Sequence, residues 1–328
     1  MHSVFLLAAL LVGGLLAVQA SANVRLTGAV GTPYAAATLQ LGLAAALLGG
    51  LAVAAGATGS LPALADVPAW QLLGGLASPL YITSAILLFP RLGAVSSVGL
   101  FVTGQLAASL ALDLFGPIGV PRRGLTVGAG LGALAVLAGI TVVLRGQRAG
   151  THGAVAGGGR PRAAWIVLGV AAGAALPVQG AVNAALLRTL REPFAVALTS
   201  FTVATAAILV LSLALLVAGR TPRPAVRPLA DMPWWGWAGA GCAAAYVTAT
   251  FLLIPVIGAA TTVALTVTGQ QLASAAIDGR GLFLLPRRPL TTARVAGLSL
   301  LVVGSGLVQM SSVDIGGPPE EEPGSAMG

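Results

Sequence analysis

The chain contains no lysine; all 17 of its basic residues are arginines. A Walker A phosphate loop, a pyridoxal Schiff base and a retinal Schiff base each need a lysine, so those functions are excluded. The single cysteine, Cys242, excludes an internal disulfide and reads as a small core residue in an apolar run. Its two histidines, His2 and His152, stand apart, and no HExxH, CxxC or GxSxG pattern occurs. No catalytic residue, metal-ligand set or cofactor is expected, and the chain is not read as an enzyme. Charge is scarce as well: 8% of residues are charged, against about 25% in soluble domains. The nine acidic residues are Asp66, Asp113, Glu192, Asp231, Asp278, Asp314 and Glu320 to Glu322, and none falls in the middle of an apolar run. That argues against proton-coupled export of lipophilic cations through a mid-membrane carboxylate. The net charge of +8 is not interleaved with aromatics, so no nucleic-acid partner is expected.

What fills the chain instead is apolar sequence: 57% of residues are hydrophobic and the mean hydropathy is +0.95. Windows of about 20 apolar residues span a bilayer. Ten are found, at 4–22, 34–58, 68–90, 93–115, 124–144, 163–185, 194–218, 234–254, 257–279 and 292–310. The runs are continuous rather than alternating, so they predict helices and not barrel strands. Ala20-Ser21-Ala22 would suit a signal-peptide cleavage site. Against cleavage, no basic residue precedes the first window, and that window aligns with an internal one. Gln19 and Asn23 match Gln179 and Asn183 at an offset of 160. Retention of the first helix is expected.

The alignment is part of a longer repeat. Gly104-Gln105, Ser109 and Asp113 recur as Gly269-Gln270, Ser274 and Asp278, at an offset of 165. Pro121-Arg122-Arg123 recurs as Pro286-Arg287-Arg288, Tyr81 as Tyr246, Asp66 as Asp231, and Pro33 as Pro193 at offset 160. The predicted organisation is a first five-helix unit at 1–148, a Gly/Arg-rich linker at 149–162, a second five-helix unit at 163–310 and an acidic, disordered tail at 311–328. An odd number of helices per unit makes the second enter from the opposite side. The expected fold is therefore an all-α integral membrane protein, ten transmembrane helices in two antiparallel five-helix repeats. On that count 13 of the 17 arginines share one side of the membrane, and Arg122, Arg123, Arg188 and Arg191 lie on the other with both termini. The positive-inside rule then places both termini outside the cytoplasm.

Gln105, Ser109 and Asp113 are spaced by four, so they share a helical face, as do Gln270, Ser274 and Asp278. Gln19 with Asn23 and Gln179 with Asn183 form two further pairs. Tyr81 and Tyr246 occupy equivalent positions in the third and eighth windows. These twelve residues are the candidate substrate-binding set. Each has a plainer reading: amides and serines as hydrogen bonds between helices, aspartates as interfacial caps or arginine partners, tyrosines as core.

Gln and Asn four apart in the first helix, Pro33 opening the second, and Gly-Gln-x-x-x-Ser-x-x-x-Asp in the fourth resemble the YdcZ-like branch of the drug/metabolite transporter superfamily. The resemblance covers about 4–144 and 163–310. It implies a ten-helix transporter fold in the plasma (inner) membrane with antiparallel halves, and it names no cargo. Family members often follow the Asp with an aromatic-Gly turn. Asp113-Leu114-Phe115-Gly116 keeps that turn, and Asp278-Gly279-Arg280-Gly281 departs from it.

The function expected is secondary transport of a small polar metabolite or drug-like solute by alternating access. The alternative is a non-transporting membrane partner or scaffold. A carrier should hold its amides around a central cavity, whereas a scaffold should bury them between packed helices. The expected partners are a small-molecule solute and the lipid bilayer. With both halves on one chain a monomer can suffice, and the oligomeric state stays open.

Overall fold

The computed structural model of the chain describes residues 2–124, 126–148, 163–284 and 291–313. The expected linker at 149–162, the second Pro-Arg-Arg stretch and residues 314–328 of the expected tail lie outside the described residues. Among the described residues there is no strand. The helices are α1 (His2–Val30), α2 (Pro33–Ala54), the short α3 (Ala69–Leu72), α4 (Ala77–Phe115), α5 (Val127–Arg148), α6 (Ala163–Leu190), α7 (Pro193–Val217), α8 (Ala238–Ile257), α9 (Ala259–Arg280) and α10 (Thr292–Val313). Among the described residues five segments are long and apolar enough to cross a membrane: Ser3–Val30, Pro33–Ala54, Ala163–Leu190, Pro193–Val217 and Trp234–Ile257. Shorter apolar helices are Leu100–Phe115, Val127–Val142 and Val295–Val308.

Sequence punctuates these helices where expected. Pro33 and Pro193 open α2 and α7 at the first turn, where a missing N–H is harmless. α1 runs beyond the apolar window that ends at 22, because Leu26 and Val30 are buried against Ala36, with Trp237 beside them. α10 continues to Val313, past the expected edge at 310.

The windows at 68–90 and 93–115 are joined by helical structure, since α4 is helical from Ala77 to Phe115. Yet the rings of Tyr81 and Phe101 lie 4.8 Å apart, and twenty residues of straight helix would hold them ~30 Å apart. α4 therefore reverses between them and forms two limbs. α8 and α9 form the equivalent pair in the second half. They are joined by Gly258, whose φ of 88° favours glycine. Trp235 just before α8 touches Phe283 just after α9, with ring centroids 5.4 Å apart.

The halves interlock. α1 packs along α8 and α9, and α6 packs along both limbs of α4. α2 pairs antiparallel with α7: Thr38 meets Ser212 while Thr32 meets Thr221. α5 pairs antiparallel with α10: Gly132 meets Gly304 while Gly139 meets Gly297. The closest approaches occur in equivalent pairs. A Cβ on Gly13 would run into the Thr266 backbone, and one on Gly173 into that of Phe101. A Cβ on Gly104 would meet the Val170 carbonyl, and one on Gly269 the Leu10 carbonyl. Small residues permit such backbone contact, which is how helices adhere where no hydrophobic effect separates them from lipid.

Candidate functional site

A cavity of about 170 Å³ lies where the halves meet. Its wall takes residues from α1, α2 and both limbs of α4, and from α6, α7, α8 and α9; α5 and α10 contribute none. The polar lining is Gln19, Asn23, Ser78, Tyr81, Gln105, Gln179, Tyr246 and Gln270, and among the described residues no lining residue is charged. Leu16, Leu41, Ile82, Leu176 and Phe201 supply much of the apolar remainder. The repeated Gly-Gln step explains how two of the amides arrive there. Gly104 and Gly269 press against the first helix of the opposite half. The next residue, about 100° further around the helix, is the glutamine that faces the cavity.

The two N-terminal amide pairs sit differently. Gln179 is 5% exposed, and its amide reaches the Ser78 hydroxyl at 3.2–3.3 Å and the Ser200 hydroxyl at 3.4 Å. Asn183 donates to Ser200 at 3.1 Å, packs against Gly74 and stays off the cavity wall. In the first half Asn23 lies against Gly239, the equivalent of Gly74, but remains on the wall. Gln40, equivalent to Ser200 at offset 160, donates to the Gly239 carbonyl at 3.5 Å. Ser78, Ser200 and Gln40 were not among the expected residues. For Gln40 and Ser200 the signal was present, in the polar positions seven residues after Pro33 and Pro193.

Ser109, Ser274 and Asp113 do not line the cavity. Ser109 is fully buried and donates to the Leu106 carbonyl of its own helix at 2.9 Å. Ser274 is half-buried in α9 and does not line the cavity. Asp278 lies near the end of α9, with its side chain outside the described residues.

Asp113, 7% exposed, accepts the backbone N–H groups of Ala259 at 2.8 Å and Ala260 at 2.7 Å, one on each carboxylate oxygen. Those are the first residues of α9, whose leading N–H groups have no partner within the helix and favour negative charge. Arg123 completes the clamp. Its backbone N–H donates to the Asp113 carbonyl at 2.7 Å, and its guanidinium donates to the Val256 carbonyl at 2.9 Å. Arg188 of α6 donates to the carbonyls of Ile118 and Gly119. Asp113 and Arg123 of the first half thus hold the α8–α9 turn of the second, while Arg188 of the second half holds the Ile118–Gly119 turn of the first. Among the described residues no group of three or more His, Cys, Asp or Glu side chains could hold a metal.

No curated protein matches the chain. A solved crystal structure that is 22% identical covers 96% of this chain and 98% of its own, with a TM-score of 0.61, which shows a shared fold. The protein family described as "Putative inner membrane exporter, YdcZ" matches residues 4–142 and 164–307, in two segments that correspond to the two sets of helices above. The chain therefore belongs to the YdcZ family of the drug/metabolite transporters, a family described by inner membrane export and not by an enzymatic activity.

Proposed function

We propose that the chain is a secondary transporter that moves a small polar solute across the inner membrane by alternating access between two inverted five-helix repeats, 1–148 and 163–310. The observation that carries this reading is the cavity, shared between the halves and lined by five amides and two tyrosines with no charged group among the described residues. Repeats related by an axis in the membrane plane place equivalent helices antiparallel, and an axis along the membrane normal would make them parallel. The antiparallel pairing of α2 with α7 and of α5 with α10 supports the first arrangement. Ten passes follow when both limbs of α4 are counted. The cavity is close in size to the ~150 Å³ pocket that encloses benzene, so the solute is small. Gln105 and Gln270 contact it from equivalent positions, with Gln19, Asn23, Gln179 and the two tyrosines around them.

The test is solute release from cells that make the chain against cells that make the Gln105→Leu, Gln270→Leu double variant. Release of at least one small polar solute should depend on the intact pair. No difference for any solute, at equal amounts of folded protein, would remove the transport reading. Orientation is a separate prediction. The start of α1 lies by the α8–α9 turn, since Ala9 packs with Leu253 and Ile257. The arginine bias puts this end outside, so an alkaline phosphatase fused after Gly328 should be active and a fluorescent protein there dark. The reverse pattern would invert the topology.

A further inference from the structure

We infer that the equivalent amides Gln19 and Gln179 have divided their roles: Gln179 is a fixed part of the wall, and Gln19 anchors an uncharged solute that carries an N–H or O–H donor. The inference rests on the transport reading and names the solute class of that same cavity.

Both glutamines line the cavity from the first helix of their halves, 160 residues apart. Gln179 is held by Ser78 and Ser200. The positions equivalent to these serines hold Ala243 and Gln40. Alanine offers no hydrogen bond, and the Gln40 amide nitrogen is directed to the Gly239 carbonyl. The buried Oε1 of Gln19 is left without a partner. An enclosed carbonyl oxygen with no donor is unfavourable and uncommon in folded proteins. On the wall of a cavity, a bound molecule can supply that donor. Among the described residues the same wall has no carboxylate to pair with a cation and no guanidinium to pair with an anion. A desolvated, unpaired charge there would be far less favourable than a neutral polar group.

The probe set is benzamide with its like-shaped relatives benzamidine (a cation), benzoate (an anion) and acetophenone (neutral, no donor). Binding is measured on the purified full-length chain by tryptophan fluorescence, and melting by scanning fluorimetry. Benzamide should bind at least tenfold more tightly than each of the other three. Gln19→Leu should weaken benzamide at least tenfold while the melting temperature holds or rises, because an unpaired oxygen is gone. Gln179→Leu should lower the melting temperature and weaken benzamide less than Gln19→Leu does. Ala243→Ser, which gives Gln19 the partner that Gln179 has, should raise the melting temperature and weaken benzamide. Equal losses in the two glutamine variants, or benzamidine or benzoate binding as well as benzamide, would overturn the division while solute release still depends on Gln105 and Gln270. A wild-type chain that binds none of the four probes overturns it too, and the release comparison then decides the transport reading separately.

Discussion

Gln105 and Asp113 stand eight residues apart on the second limb of α4, on one helical face, and the fold puts them to opposite uses. Gln105 faces a cavity. Asp113 has both oxygens engaged by the first N–H groups of α9. The ~12 Å of helix rise between them separates the centre of the bundle from its end. A shared face therefore does not imply a shared task, because depth decides what each residue meets. At the centre, equivalent residues of the two halves converge and leave space. At the end, a helix start must be satisfied, and a carboxylate does so.

The comparison breaks most visibly at Asp113. Asp113→Ala removes two charge-assisted hydrogen bonds and leaves two buried N–H groups unsatisfied. It should cost about 3–5 kcal/mol of stability, read as a large fall in melting temperature and in folded yield. Wild-type melting would mean that α9 starts equally well without it. Arg123→Ala removes one bond to the Val256 carbonyl in a partly exposed place and should cost ~1 kcal/mol, checked in the same melt. Smallest in stability is the Gln105→Leu, Gln270→Leu pair, at ~1 kcal/mol or less, although transport per folded molecule should fall at least tenfold. A fall in stability as large as that of Asp113→Ala would make these glutamines packing groups instead.

Much of this was legible in the sequence. The apolar windows place the helices, and the repeated Gly-Gln step places two cavity residues, since a glycine that must touch a backbone fixes where its neighbour points. The plainer reading of Asp113 as a cap was also available, because it ends a helix and is followed by Arg122 and Arg123. Other features were not legible. Asn183 looks equivalent to Asn23, yet it is tied to Ser200, since Ser200 and Gln40 differ in reach. The helices are apolar on nearly all sides, so no stripe tells the inner face from the lipid face. The exchange of partners between halves, α1 with α8 and α9 and α6 with α4, links residues too distant for any spacing rule.

That exchange sets a timetable for synthesis. α1 is made first, but its partners α8 and α9 follow roughly 200 residues later, which at 5–20 residues per second is ~10–40 s. α6, by contrast, emerges after both limbs of α4 are already in place. The second half can therefore dock on contacts that exist, whereas Gly13 and its neighbours must wait among lipids for a surface not yet translated. Of the large helix pairings that join the halves, α1 with α9 is the one most widely separated by synthesis.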